Sequence, residues 1–471
     1  MKIIQSQATN TLTRYSWVLV ILFDLIFSSC RKLVEVQPPY TQLNSDIVFS
    51  DDATATSAMF SIFSQMSSDM LTYNMSLYPG LSADEFINYS PELPSIQFYS
   101  NSLSADNTIN GELWTKFYSQ IYQANNIIES LAKAPNITAG VKQQLMGEAY
   151  FTRAYLYFYL VNYYGEIPLV ITTNYKINAT VFRSSTTEVY KQIEIDLQQA
   201  QKLLATYFVG VNGKSESTER LRPTIWAANA LLSRMYLYTK NWEKAIEYSS
   251  TLINRSDLFS LEEDLNHVFL KNSREAIWQI TLSPYNTMEG PFFTLTTTPS
   301  SSSLSNRLTD AFESNDKRYS SWVGTLIDNG QTYHYPFKYK VFDFESPVSE
   351  YTMILRLAEQ HLIRAESYAQ MGDLNKALSD LNVIRKRAEL PDFTSSSKEQ
   401  IIAKIQHERQ IELFSELGHR WLDLKRTGDP ENILAAVASE KGGAWSSNWL
   451  LYPIPQNERS KNHNLSQNLG Y

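Results

Sequence analysis

Three stretches of this sequence carry side chains that could do chemistry. The first is Cys30, the chain's single cysteine, which follows Ser28 and Ser29 at the end of an apolar run from Trp17 to Phe27. Lys2 and Arg14 precede that run. A basic start, an apolar stretch and small residues before a cysteine are the layout of a bacterial lipoprotein signal, whose thiolate is the group that becomes diacylated. The second stretch is Glu408, Glu412 and Glu416, spaced to put three carboxylates on one helix face, with Arg409, Arg420 and Lys425 close in sequence. Acid–base catalysis could use such a face, but ion pairing, solvated or structural, is the simpler expectation. The third, Gly210-Val211-Asn212-Gly213-Lys214-Ser215, resembles a phosphate loop but has Phe208 where the first glycine is required.

Other catalytic signatures are missing. His407-Glu408 lacks a second histidine at zinc-binding spacing, and the histidines at 267, 334, 361, 407, 419 and 463 form no ligand set in sequence. There is no G-x-S-x-G elbow. We therefore expect a binding protein rather than an enzyme, with no cofactor and no metal.

These residues must be positioned by 471 residues with a formal net charge of −8. A net-acidic chain is a poor match for nucleic acid, which needs clustered Lys and Arg. One cysteine excludes an internal disulfide framework. The Trp17–Phe27 run, at 11 residues, is too short for a transmembrane helix of about 20. Lipid anchoring, not insertion, is the expected membrane link. Twenty-nine Tyr, 22 Phe and 9 Trp supply rings that suit a core and a sugar- or peptide-binding surface equally.

Residues 1–29 read as the signal and 30–50 as an extended tether containing Pro38-Pro39. Apolar periodicity predicts helices over Trp114–Leu131, Gln144–Tyr163 and Glu188–Ala205, the second ending at Gly165. Tyr236 to Ala245, through Asn241-Trp242, has the same spacing as Tyr368 to Ala377, through Gly372-Asp373. Both fit tetratricopeptide-like helix–turn–helix units that bury one another's faces. Between them, residues 256–350 cluster Pro, Gly and Ser, as in Pro299 to Ser303, with β-branched runs such as Thr294 to Thr298, and read as loops with a few short strands. Helical periodicity returns over Tyr351–Glu389 and Lys398–Leu417, and Trp449–Tyr471 reads as a segment wrapping over the body.

Motifs spread along the chain then point one way. Val34-Glu35-Val36-Gln37-Pro38-Pro39, Val48 to Ala53, Trp114, Tyr118, Ile121 and Ala124-Asn125 come first. Glu148-Ala149, Arg153-Ala154, Tyr164-Gly165 and Pro168-Leu169 follow. The second half adds Arg356, Ala358-Glu359, Ala365-Glu366, Arg387-Ala388, Glu408-Arg409, Glu412-Leu413 and Arg420-Trp421. Asp423 to Arg426, Pro453-Ile454-Pro455, Gln467-Asn468 and Gly470-Tyr471 close the set. In this order the sequence resembles the SusD/RagB family of Bacteroidetes outer-membrane lipoproteins.

The resemblance implies a mainly α fold, with tetratricopeptide-like helix pairs and a loop-rich, partly β region facing the ligand. It divides the chain into a SusD-like helical region over 51–225 and a SusD/RagB-like region over 226–471, with the irregular insert at 256–350. It implies a lipid-anchored outer-membrane protein facing the cell surface and partnering a SusC-like TonB-dependent barrel. The implied ligand is an oligosaccharide or polysaccharide; the alternatives are a captured peptide, or a structural lid with no ligand of its own. Trp114, Tyr118 and Ile121 fit a core face, and Arg153, Arg356 and Arg420 fit ion pairs or caps better than ligand contacts. Because family ligand sites lie in variable loops, site residues must be sought among aromatics in loop-like sequence with polar neighbours. Those are Tyr89, Tyr99, Tyr285, Phe292, Trp322 and Tyr333, with Asn88 and Asn101 as polar partners.

Overall fold

The computed structural model describes residues 45–427 and 430–471. The signal over 1–29, Cys30 and the tether as far as residue 44 lie outside the described residues. At the end of the expected tether, Ser45–Val48 forms a helical turn rather than extended chain. Residues Phe49–Tyr471 form one compact unit.

The unit opens with α1 (Asp52–Ser68), whose Asp51 side chain accepts from the backbone N–H groups of Ala53 and Thr54 at 2.8 and 2.9 Å. The buried helix α2 (Leu71–Ser82) follows, then a short strand β1 (Phe86–Asn88) and α3 (Leu93–Tyr99). Two long helices come next, α4 (Thr108–Lys133) and α5 (Ala139–Tyr164). As its sequence suggests, α5 stops at Gly165, whose φ of +72° is the left-handed turn that glycine adopts without strain. A capping box between Ser185 and Glu188 starts α6 (Thr186–Leu203).

Both expected helix pairs are present. α7 (Ile225–Tyr238) and α8 (Trp242–Ile253) turn at Asn241, whose side chain accepts from Lys244 N–H at 3.3 Å. The insert follows, with β2 (Ala276–Ile280), α9 (Glu289–Phe293), β3 (Ser302–Leu304), and a hairpin of β4 (Val323–Asp328) and β5 (Gln331–Pro336). Asn329 and Gly330 turn that hairpin with φ of +49° and +76°, the two positive values that a tight two-residue turn requires. β3 runs antiparallel to β1, with Phe86 opposite Leu304 and Asn88 opposite Ser302.

The expectation of helix from Tyr351 is corrected. Thr352–Arg356 is a fully buried strand, β6, paired antiparallel with β2. Pairing with a distant strand overrides the local pattern there. Helix starts one residue later, as α10 (Leu357–Met371), and Gly372 with φ +87° turns it into α11 (Leu374–Arg387). α12 (Lys398–Glu412) packs on this pair around Ala358, Leu362, Ala377, Leu381, Ile401 and Ile405. The helix ends at Glu412 rather than Leu417, because Ser415, Leu417 and Gly418 all take positive φ before α13 (His419–Arg426). Glu416 therefore sits in a turn. After α14 (Pro430–Glu440), the last segment runs back over α4 and α5. There Asn110 donates to the Pro453 carbonyl at 2.8 Å and Asn468 to that of Tyr164 at 2.9 Å.

Candidate functional site

The three carboxylates that looked most like chemistry are locked in the interior. Arg318 reaches Glu408 at 2.9 Å and Glu412 at 3.1 Å. Arg356 reaches Glu275 at 2.8 Å, Glu412 at 2.6 Å and Glu416 at 2.8 Å. Arg387 bridges Glu275 and Glu412, and Lys338 contacts Glu416 at 2.5 Å. The partners expected from sequence proximity go elsewhere: Arg409 to Asp423, Arg420 to Asp84, and Lys425 to the Asn162 carbonyl. The pairing is structural and buried, not solvated. Burial opposes the charge on Glu412, but Arg387, Arg356 and Arg318 outweigh it and hold the carboxyl well below its usual range. A carboxylate bound by three guanidiniums and shut from water has no substrate to protonate.

Glu313, His407 and Glu408 bring oxygen and nitrogen atoms close enough to ligate a metal. The donor set does not suit one, because cations already hold it. Glu313 binds Arg385 at 2.6 Å and also Lys404, His407 Nδ1 faces the Lys404 ammonium at 3.4 Å, and Glu408 binds Arg318.

The aromatic candidates separate into three groups. Trp322 is fully buried, its Nε1 donating to the Leu265 carbonyl at 2.9 Å, with Lys338 4.8 Å from its ring centroid. It anchors the insert and presents no face to a ligand. Asn101 is also buried, donating to the Ser82 carbonyl at 3.0 Å from a residue with φ +54°. It shapes the turn after α3. Tyr285 and Phe292 are exposed on the insert, Tyr285 edge-on to Phe344 at 5.4 Å and Phe292 against Tyr73 at 5.2 Å.

Tyr89 and Tyr333 come together, Asn88 precedes Tyr89 in the chain, and Tyr89 lies near enough to Tyr99 to act on its hydroxyl. β1 delivers Asn88 and Tyr89 to its end, where the Tyr89 N–H donates to the Ser301 carbonyl at 2.8 Å. Tyr333, on β5, meets Tyr89 edge-to-face at 5.9 Å. Asn88 donates to the Ser90 carbonyl at 2.9 Å.

Beside them lies a cavity of about 280 Å³, lined by Tyr99, Ile87, Asn306, Arg307, Glu440 and Lys441 among others. That is just below the range of about 300–1,000 Å³ usual for ligand pockets. Tyr99, from the end of α3, forms one wall, with the Lys441 ammonium 4.8 Å from its ring centroid. Lys441 donates to the carbonyls of Leu81 and Ala83 at 2.5 and 2.6 Å, and burial pushes it down to about 7. Arg307 grips Glu440 through two hydrogen bonds of 2.5 Å at the rim. Beneath, Arg420 binds Asp84 through two more at 2.7 Å and outweighs burial to hold its carboxyl low. The neighbouring Glu85 is pushed up to about 8 by burial and by the Asp84 charge. An aromatic wall with a polar, charged rim can stack on the apolar face of a ring and hydrogen-bond its edge.

Sequence reasoning missed Arg307, Asn306, Glu440 and Lys441. No spacing links them to Tyr99, since the chain brings them from the Ser-rich insert and from the end of α14.

Known proteins fit this architecture. Residues 34–237 match a family profile described as starch-binding and associating with the outer membrane, and residues 234–471 match that of the SusD family. The SusD-like protein P38 of Formosa agariphila is 22% identical over an alignment covering 96% of this chain and 98% of that protein. A SusD superfamily protein from Bacteroides vulgatus superposes with a TM-score of 0.78 at 22% identity, over 89% of this chain and 99% of that one. A laminarin-binding SusD-like protein gives 0.72 at 20% identity, over 89% and 99%. A mainly α body, paired helices and a profile match through the whole second half agree, and the chain belongs to the SusD family.

Proposed function

We propose that this protein is an outer-membrane lipoprotein that captures a glycan at the Tyr99 cavity and hands it uncleaved to a SusC-like TonB-dependent barrel. The observation that carries the ligand assignment is the Tyr99 wall, with the Tyr89–Tyr333 ring pair beside it. Stacking rings and short polar side chains are what a sugar needs, one for its C–H face and the other for its hydroxyls. The family profile's starch-binding description and the laminarin-binding neighbour support the same ligand class. In this reading residues 1–29 are a signal and Cys30 carries the lipid. Among the described residues no helix is long and apolar enough to cross a membrane.

The test is retention on polysaccharide affinity gels and calorimetry with the purified protein, alongside a peptide pool and an assay for cleavage products. We expect saturable binding to one glycan class without cleavage, reduced at least about tenfold by Tyr99→Ala, as loss of a stacking ring commonly does. Peptide binding without glycan binding would move the protein to the peptide-capturing branch, and product formation would make it an enzyme. For the anchor, Cys30→Ala should leave the membrane fraction or stall unprocessed; a variant that matures and partitions like wild type removes the lipoprotein assignment.

A further inference from the structure

We propose that Glu440 is the specificity-determining residue of the Tyr99 cavity: by occupying Arg307, it restricts the site to uncharged glycans and turns acidic ones away. The inference rests on the glycan reading above and adds the charge class of the ligand.

The argument is a charge inventory of the cavity. Asp84 at its base is bound bidentately by Arg420 at 2.7 Å. Lys441 is turned toward the Leu81 and Ala83 carbonyls and the Tyr99 ring. That leaves Arg307 and Glu440, whose side chains are 38% and 57% exposed, as the charged groups that an arriving ligand meets. They lie fork to fork, both guanidinium bonds at 2.5 Å, so the pair shows no net charge.

A neutral sugar can use this pair as it stands. Its hydroxyls donate to the solvent-facing side of the Glu440 carboxylate and accept from the Arg307 edge, and neither ion has to be separated from its partner. A sugar carboxylate or sulfate fares worse, because at the free Arg307 edge it still stands against the Glu440 charge. To reach the Arg307 fork it must displace Glu440, which exchanges one carboxylate–guanidinium contact for another of the same kind. The displaced Glu440 then lies unpaired beside the new anion, and like charges at contact repel. Glutamine at position 440 keeps the length and an acceptor oxygen for Arg307 but removes the repelling charge. The freed guanidinium then becomes a carboxylate receptor.

A surface ion pair that merely ties α14 to the helical turn Asn306–Thr309 after β3 would predict something else, a small change in stability with no change in ligand ranking. The experiment separates the two. Wild type, Glu440→Gln and Glu440→Ala, as full chains checked for unchanged circular dichroism, are titrated by calorimetry at low and high ionic strength. The probes are neutral oligosaccharides (α- and β-glucans, xylan, mannan) and acidic ones (oligogalacturonate, oligoalginate). Wild type should bind its best neutral probe at least about tenfold more tightly than any acidic one. Glu440→Gln should weaken neutral binding modestly, by less than about tenfold, because the hydroxyls lose a charged acceptor, and should gain about tenfold on acidic probes, so that the ranking narrows or inverts. High salt should shrink that gain, because the pair is solvent-exposed. An acidic oligosaccharide as the best wild-type ligand overturns the proposal, and so does an unchanged ranking in both variants. Failure of wild type to bind any glycan removes the glycan reading and the selectivity with it. Neutral binding that Tyr99→Ala abolishes, with a ranking that Glu440→Gln leaves alone, removes the selectivity only.

Discussion

Around Arg356 the protein keeps Glu275, Glu412 and Glu416 away from water and surrounds them with Arg387, Arg318 and Lys338. At the Tyr99 cavity the same chemistry, one arginine on one glutamate, stands at the surface as Arg307–Glu440. The contact distances are alike; the surroundings are not. In the interior every ion has lost its hydration and depends on its partners, so the network fixes the relative position of β2, β6, α11 and α12. At the rim, water can replace either partner at little cost, so the pair is available for a ligand to read. Burial decides whether an arginine–glutamate contact is a strut or a selector.

The interior half of this comparison is broken most directly at Arg356. Arg356→Met keeps the bulk but takes a shared cation from three buried carboxylates, leaving Glu275 to Arg387, Glu412 to Arg318 and Arg387, and Glu416 to Lys338. We expect a loss of about 3–5 kcal/mol, read as a fall in the urea midpoint. A loss below about 1 kcal/mol would mean that the network relaxes freely and is no strut. Trp322→Ala probes the same region through packing. Removing a fully buried indole should cost about 3–5 kcal/mol while leaving glycan affinity intact in the fraction that stays folded. Loss of affinity without loss of stability would return Trp322 to the ligand site.

Trp322 also shows how far the sequence could be read. Helix pairs were legible because periodicity and turn residues act locally: Gly372 and Asn241 mark their turns whatever lies around them. A tryptophan among serines in an irregular insert carries no such local mark. Whether it faces water or packs beside Lys338 and Arg387 is settled by residues distant in sequence. Asn101 was misread for the same reason, its amide being spent on a backbone carbonyl. The helix face of Glu408 and Glu412 was visible as spacing, but their partners Arg318, Arg356 and Arg387 were not. The rim of the cavity was invisible for this reason too: residues 99, 307 and 440 meet only in the folded chain. Tyr89 and Tyr333 could be named from sequence; that they face each other could not.

Glu85 lies between the two regions, next to Asp84 in sequence and bonded to the Ser415 N–H at 3.2 Å. Its carboxyl is pushed up to about 8 by burial and by Asp84, so the folded protein keeps a proton that the unfolded chain gives up above its ordinary value of 4.5. The folded state binds more protons in that window, and stability must fall as pH rises from about 4.5 to 8. Glu412 and Glu416, held low by their arginines, act in the opposite sense, contributing stability at neutral pH that is lost as acid protonates them. Glu85→Gln should flatten the slope between pH 5 and 8 by on the order of 1 kcal/mol per pH unit and leave the acid limb in place. A slope unchanged between pH 5 and 8 would show that Glu85 is ionised in the fold.

The smallest effect falls on the exposed pair, and its smallness is the point. Arg307→Ala removes both 2.5 Å hydrogen bonds to Glu440, a contact that in the interior would be costly to break. Here Glu440 is more than half exposed, so water solvates the carboxylate that arginine releases. The expected change in the urea midpoint corresponds to about 0–1 kcal/mol. Set against Arg356→Met, this makes a ratio of several-fold at like contact distances, produced by burial and by the three carboxylates that Arg356 holds against the one that Arg307 holds. A loss at Arg307 as large as that at Arg356 would collapse the comparison, making the rim pair a strut as well. Glu440 would then be held too firmly for an arriving sugar to read.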